Sequence, residues 1–286
     1  MDAEQKVFTL FGLIGYPVKH SYSAVMHNVA FAHYGMSARY ELFEVPPDGL
    51  ETFFKSIVKE RRIQGFNVTV PHKETVTRFL TGQIAPMAEM VGAVNTIRVE
   101  TDGRFSGFNT DEPGFGLDLE ERGLDVSGKK AVLLGAGGAA KAVALALAAL
   151  HVEAIEVFDI VREKAAGLAE RVKRFYPTLD VRVTEETRLL RLNEAGLFVN
   201  ATPLGMKDGD PLPVDAARLH ADLFVYDLIY NPGQTPLLKA AEAAGCRWAN
   251  GLGMLLHQGC LAFEYWTGRG APIDLMRQAL EKHVYG

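Results

Sequence analysis

The first third of the chain alternates between two hydrophobic periods. VFTLFGLIG (7–15) reads as a strand. SAVMHNVAFAHYG (23–35) repeats its apolar residues at helical spacing and ends in Gly35, a helix stop. ARYELFEV (38–45) alternates apolar and polar and predicts a strand. LETFFKSIVKE (50–60) predicts an amphipathic helix, and IQGFNVTV (63–70) another strand, which Pro71 stops. In VNTIRVETDGRFSGFN (94–109), two strand-like runs flank Asp102-Gly103, a hairpin signal. The sum is a mostly parallel sheet with a hairpin, within an α/β layer system.

The middle of the chain restarts the pattern. KKAVLLGAGGAAKAVALALAAL (129–150) is a buried strand, a glycine turn and an alanine-rich helix. AIEVFDI is a second strand, and VREKAAGLAERVKRFY a charged amphipathic helix. VRVTEE, GLFVNATP and LFVYDLIY are three more strands, with helical or irregular pieces between them. That succession suits a nucleotide-binding sheet. PLGMKDGDPLPVD reads as a long surface loop, and the tail from GLGMLLHQGCLAFEYW is helical again.

Composition narrows the class. The chain has 286 residues, 48% hydrophobic and 23% charged, enough for two ordinary domains or one large one with ample core. A net charge of -5 gives no nucleic-acid or anionic-membrane footprint. No apolar run approaches the roughly 20 residues of a membrane span, and the acidic MDAEQKVFTL lacks the basic start of a signal peptide. Two cysteines, Cys246 and Cys260, argue against a disulfide framework and make the reducing cytoplasm the expected compartment.

The glycine turn GAGGAA (135–140) follows a strand and opens a helix, in the form G-x-G-x-x-A. Gly135 permits the tight turn, Gly137 lets the backbone approach a pyrophosphate, and Ala140 is the small packing residue. The helix start then offers free N–H groups to phosphate. The second strand ends in Phe158-Asp159-Ile160. A carboxylate there can accept from the ribose hydroxyls of NAD and repels the 2′-phosphate of NADP. Its plainer role is to cap the next helix, and the two roles can coexist.

Elsewhere polar groups gather where strands run out, which is where ligands bind in open α/β sheets. Ser21 and Ser23 follow the first strand, and Asn67, Thr69 and Lys73 the third. Asn95 lies in AVNT, Asn109, Thr110 and Asp111 close the hairpin segment, Tyr230 lies in DLIYNP and Gln258 in MLLHQG. Each alone has a dull explanation as a cap, a turn residue or a solvated side chain. Together, uncharged donors beside one lysine and one aspartate suit a small polyhydroxylated ligand. An ammonium also suits hydride chemistry, because a ketone that receives hydride becomes an alkoxide. A neighbouring carboxylate can position the lysine and share in proton transfer. The eight histidines form no metal-ligand spacing and the cysteines lack C-x-x-C, so no metal site is expected. His72 and His257 neighbour Lys73 and Gln258 and could line a pocket edge.

In order along the chain, KHSYSAVMHN, NVTVPHKE, GAVNT, FNTDEPGF, GAGGAA, NATPLGM and NGLGMLLHQG make it resemble the shikimate dehydrogenase family, including its quinate/shikimate relatives. The resemblance implies NAD(P)-linked interconversion of 3-dehydroshikimate and shikimate, in aromatic amino-acid biosynthesis. It implies a substrate domain of residues 1–110 plus 251–286, a Rossmann-like dinucleotide domain of 111–250, and a cleft between them. Lys73 and Asp111 would be the catalytic pair. Ser21 and Ser23 would hold the substrate carboxylate. Asn67, Thr69, Asn95 and Gln258 would bind hydroxyls or carboxylate, with Tyr230 close to the ring. Gly135, Ala136, Gly137, Gly138, Ala139, Asp159, Asn200 and Thr202 would bind the dinucleotide, and Gly251 and Met254 would flank the nicotinamide.

One departure bears on the cofactor. NADP-specific members follow the second strand with Asn-Arg-Thr, and this chain has Asp159-Ile160-Val161. That favours NAD, with NADP left open through Arg162. The rival functions are an NAD-linked quinate/shikimate dehydrogenase and a non-catalytic ligand sensor. The expected partner is a small molecule, with no nucleic acid or membrane, in a monomer or homodimer.

Overall fold

The computed structural model describes residues 8–286. Val7 and the acidic start of the chain, on which the signal-peptide reading rests, lie outside the described residues. The chain divides into two compact units. One comprises the chain up to Thr110 together with Leu256–Val284, and the other comprises Asp111–Leu255.

In the first unit, the described residues form a five-stranded sheet. Its strands are β1 (Thr9–Gly15), β2 (Ala38–Glu44), β3 (Ile63–Val68), β4 (Thr96–Val99) and β5 (Phe105–Phe108), in the order β2-β1-β3-β4-β5. β1 runs parallel to β2 and β3, while β4 is antiparallel to both β3 and β5. β4 and β5 are the hairpin expected around Asp102-Gly103. The helix Ser23–His33 makes the crossover that a parallel β1–β2 pair requires.

Both faces of this sheet are covered, so β1 reads as a continuous apolar run rather than an alternating one. On one face Leu10 and Ile14 join Phe53, Phe66 and Ile97 in the core. On the other, Phe11 stacks with Phe31 at 5.1 Å and meets Trp266 at 5.2 Å. Trp266 donates from Nε1 to the Ile97 carbonyl at 2.9 Å, which ties the long helix Leu252–Thr267 to this face. The stretch 50–60 is helical as expected, but it widens into a π-turn over Phe53–Ile57. There the neighbouring rings of Phe53 and Phe54 both reach Phe66, at 5.2 and 5.6 Å.

In the second unit the described residues form a six-stranded sheet. Its strands are β6 (Lys130–Leu134), β7 (Ala154–Phe158), β8 (Asp180–Val183), β9 (Leu197–Asn200), β10 (Phe224–Asp227) and β11 (Arg247–Asn250). All pair in parallel, in the order β11-β10-β9-β6-β7-β8. Counted from β6, this is the 3-2-1-4-5-6 order of a Rossmann sheet, and its winding reverses between β6 and β9. The helix Gly138–Ala149 buries Ala140 and then every residue from Ala142 to Ala148, so its small residues lie close against their neighbours nearly all round. Arg162–Phe175 buries Ala165, Leu168, Ala169 and Val172 at i, i+3, i+4 and i+7, a one-sided amphipathic helix.

Several elements were not legible beforehand. β11 is four residues, RWAN, with no apolar alternation, and it pairs only with β10. The helices Asp111–Glu121 and Pro236–Ala243 also went unread. The first is interrupted by Pro113, Gly114 and Gly116, which mask its period. No helix among the described residues is long and apolar enough to cross a membrane.

Candidate active site

In the first unit the polar residues cluster at the carboxyl end of β1 and β3. Thr69 donates its backbone N–H to the Ile14 carbonyl at 2.9 Å, and Tyr16 returns one to Val70 at 3.0 Å. The turn carrying Lys73 is fixed by its carbonyl, which accepts from Val94 N–H at 2.7 Å. That bond sets Lys73 one residue from the start of the Asn95 segment. Lys73 and Thr69 are half-buried. Ser21 and Ser23 meet directly, Oγ to Oγ at 3.2 Å, and Ser23 is buried at the first position of its helix. Gln258 lies buried in the helix Leu252–Thr267, away from the solvent face that its polarity alone would suggest.

Asn67 and Asn95 sit in one buried network. Asn67 donates from Nδ2 to the Asn95 carbonyl at 3.2 Å and to Thr96 Oγ1 at 2.9 Å, and its oxygen accepts from the Tyr40 hydroxyl at 2.8 Å. Asn95 donates to Thr110 Oγ1 at 2.9 Å and accepts from Thr110 N–H at 2.8 Å. Asn109 donates to the Ala93 carbonyl at 3.0 Å, which pins the same hairpin from the other side. His72 is buried with Nε2 donating to the Val45 carbonyl at 2.5 Å, so it holds a loop.

In the second unit the glycine turn lies at the reversal of the sheet. Gly135 adopts φ +100°, and a Cβ there would come within 2.8 Å of the Ala201 carbonyl oxygen. The β6 turn therefore touches the loop after β9. Gly137 precedes the helix Gly138–Ala149 with no side-chain cap, which leaves the first-turn N–H groups to a ligand or to water. Gly137 faces open space, while Ala136 and Ala140 are buried. These features fit a pyrophosphate against the turn.

Asp159 ends β7 beside this turn. Its Oδ2 accepts from Ala136 N–H at 2.8 Å, and its Oδ1 accepts from Val161 N–H at 2.8 Å. The helix Arg162–Phe175 is capped at Val161 without a side-chain bond, so Asp159 is not its N-cap. Ile160 is 92% exposed, and Arg162 pairs with Glu185 at 2.9 Å on the surface.

Asn200 and Thr202 follow β9. Asn200 is fully buried and its amide is fully occupied. It donates to Asp227 at 3.0 Å and to the Leu204 carbonyl at 3.2 Å, and accepts from Thr202 N–H at 3.1 Å and Thr202 Oγ1 at 2.6 Å. Its side chain therefore shapes the NATPLGM loop from inside. Asp227 also accepts from Thr235 at 2.6 Å, and burial pushes its carboxyl up to about 6.

Gly251 precedes the helix Leu252–Thr267 and Met254 lies in its first turn, and a buried pair supports them. Asp118 accepts from the Tyr226 hydroxyl at 2.6 Å and from Arg122 Nε at 2.9 Å. A Cβ on Gly253 would fall 1.8 Å from Asp118 Oδ1, so only glycine fits there. Burial first, then the Asp118 charge, raises the Tyr226 phenol well above its ordinary value. Asp111 is buried at the start of its helix, and Tyr230 is half-buried just after β10. Tyr40, Thr96, Asp118, Tyr226, Asp227 and Thr235 escaped the reading of the sequence. The one available signal was a carboxylate at a strand end, Asp227, in the same position that drew notice to Asp159.

A family model for the shikimate dehydrogenase substrate binding domain matches residues 13–97, and one for the shikimate 5'-dehydrogenase C-terminal domain matches 251–281. A protein of Symbiobacterium thermophilum, named shikimate dehydrogenase (NADP(+)), is 48% identical over 276 residues, covering 94% of this chain and 92% of its own. The chain belongs to the shikimate dehydrogenase family. A crystal structure of a shikimate dehydrogenase in complex with NADP+ matches with TM-score 0.88 and 39% identity, over 98% of this chain and 96% of that one. A shikimate 5-dehydrogenase of Listeria monocytogenes, in complex with shikimate and NAD, matches with TM-score 0.85 and 36% identity, over 98% and 99%. The family resemblance and the two-part α/β fold expected from the motifs hold. The cofactor expectation holds at the level of a nicotinamide dinucleotide. Its preference for NAD does not find the same support, because the curated relatives carry NADP(+) in their names.

Proposed function

We propose that this protein catalyses the reversible, dinucleotide-linked interconversion of shikimate and 3-dehydroshikimate. The observation that carries the reading is a 48% identity, spanning 94% of the chain, to a protein named for that activity. The presence of both Lys73 and Asp111 supports turnover rather than ligand sensing.

When bound, the dinucleotide supplies or takes the hydride. In the reducing direction the substrate ketone gains negative charge on oxygen. Lys73 meets that charge with its ammonium and delivers the proton, and Asp111 shares in the proton transfer. Ser21 and Ser23 donate to the substrate carboxylate. Thr69, Asn95 and Gln258 bind ring hydroxyls with Asn67, and Tyr230 packs near the ring. Gly135, Ala136, Gly137, Gly138 and Ala139 cradle the pyrophosphate, with Asp159 at the ribose and Thr202, Gly251 and Met254 towards the nicotinamide. Asn200 acts by holding the Thr202 loop.

For the carrier, the relatives' names support NADP, while Asp159 and the exposed Ile160 oppose a 2′-phosphate. Two buried cysteines that form no disulfide suit a reducing, cytoplasmic setting. The test is an initial-rate assay of shikimate and of quinate, each with NAD and with NADP. Shikimate oxidation with little quinate turnover is the expected result, and the ratio of the two cofactor columns measures what Asp159 does. No rate in any combination, with dinucleotide still bound, overturns the assignment.

A further inference from the structure

The network around Asn95 leaves a definite hydrogen-bonding remainder. The Asn95 oxygen accepts from the backbone N–H of Thr110 at 2.8 Å, a group that can only donate, so the amide cannot be the other way round. The hydroxyls of Thr96 at 3.1 Å and Thr110 at 3.2 Å both reach that oxygen as a second donor, and they lie 3.2 Å from each other. Nδ2 donates to Thr110 Oγ1 at 2.9 Å, and its second N–H has no partner among the described residues. Asn67 has the opposite remainder. One of its two donor bonds goes to a carbonyl, which can only accept and so fixes its orientation. Its oxygen accepts one bond, from Tyr40, and keeps one lone pair.

Tyr40 is itself tightly held, and by the helix that carries Ser23. Asn28 clamps its backbone on both sides, accepting from Tyr40 N–H at 2.8 Å and donating to its carbonyl at 3.1 Å. One residue earlier, the His27 ring stacks on the Tyr40 ring at 4.5 Å and 12°. Tyr40, Asn67, Asn95, Thr96 and Thr110 are all buried, in a setting where a hydrogen bond is strong and an unmade one costly.

We infer that Tyr40 is a positioning residue for the substrate: its hydroxyl holds the Asn67 oxygen and, through Asn67 and Thr96, steadies the Asn95 amide, whose orientation the Thr110 N–H fixes and whose remaining N–H projects as a donor only. Asn67 can then serve the substrate only as an acceptor. The arrangement demands an oxygen lone pair opposite Asn95 and a hydroxyl hydrogen opposite Asn67, and ring hydroxyls supply both. The inference rests on the dehydrogenase reading above.

The test is a double-mutant cycle on steady-state shikimate oxidation. Tyr40→Phe removes only the hydroxyl, and Thr96→Val removes the next link at nearly constant shape. Each is expected to raise the shikimate KM about five- to tenfold, the equivalent of one misdirected hydrogen bond, and to leave the dinucleotide KM unchanged. In an Asn67→Ala background, or Asn67→Ser where alanine folds poorly, Tyr40→Phe is expected to change the shikimate KM less than twofold. A general loosening of the fold would move both KM values and would persist in that background. Additive effects of Tyr40→Phe and Asn67→Ala, or no change with Tyr40→Phe alone, overturn the relay. Absence of shikimate turnover in the unsubstituted protein overturns the dehydrogenase reading instead.

Discussion

The carboxylate of Asp159 accepts a hydrogen bond from the backbone N–H of Ala136 at 2.8 Å. The end of β7 is thereby tied to the glycine turn, and a negative charge is set beside the N–H groups that would face a pyrophosphate. A 2′-phosphate placed next to that charge is repelled. Asp159→Asn combined with Ile160→Arg should therefore raise the NADP-to-NAD ratio of kcat/KM by about tenfold or more. Measuring kcat/KM with both dinucleotides checks this. An unchanged ratio would place selectivity outside this loop.

Lys73 carries the proposed proton transfer. Lys73→Ala should lower kcat by about 10²- to 10⁴-fold, the range for a lost general acid with its charge stabilisation. Dinucleotide affinity should stay within twofold, because the glycine turn belongs to the other unit. Stopped-flow turnover and a dinucleotide titration on the same sample provide both numbers. Full turnover in this variant would remove Lys73 from the mechanism.

His27 makes the protein acid-sensitive. Neither ring nitrogen has a hydrogen-bond partner, and burial lowers its pKa to about 3. In the unfolded chain the imidazole titrates near 6.5. Between these values the unfolded chain binds the extra proton, so stability falls as pH falls. The expected slope is up to about 1.4 kcal/mol per pH unit. His27→Phe keeps a ring against Tyr40 and removes the titration. Urea unfolding from pH 6.5 to 4 should show a shallower loss in the variant, and parallel curves would contradict this account.

Asp227 has the opposite sign. Its folded carboxyl is raised by burial to about 6, above the unfolded value, so its contribution is fully present below pH 4 and is lost as pH rises through 6. Asp227→Asn preserves acceptance from Asn200 and Ile229, while Thr235 can turn to accept from the new amide. The stability of the variant relative to the parent should improve between pH 4 and pH 7, by on the order of 2 kcal/mol. Paired thermal or urea melts at the two pH values measure it, and a difference independent of pH would be the contrary result.

Local properties of the chain determined much of this protein. The strand GLIG, the helix after Ser23, the hairpin at Asp102-Gly103 and the turn GAGGAA each declare themselves, because hydrophobic period and turn chemistry are set by neighbours in sequence. The family was legible too, in motifs that keep their order along the chain. What only the tertiary structure decided is which polar groups are already occupied. Tyr40 meets Asn67 across 27 residues, and Asp118 meets Tyr226 across 108. Asn200 looks like a ligand in NATPLGM until Asp227, Leu204 and Thr202 fill every site on its amide. β11 became a strand only because β10 presents an edge for it. A side chain's capacity to bind is what remains after its long-range partners have been served, and a sequence carries the residues without the pairing.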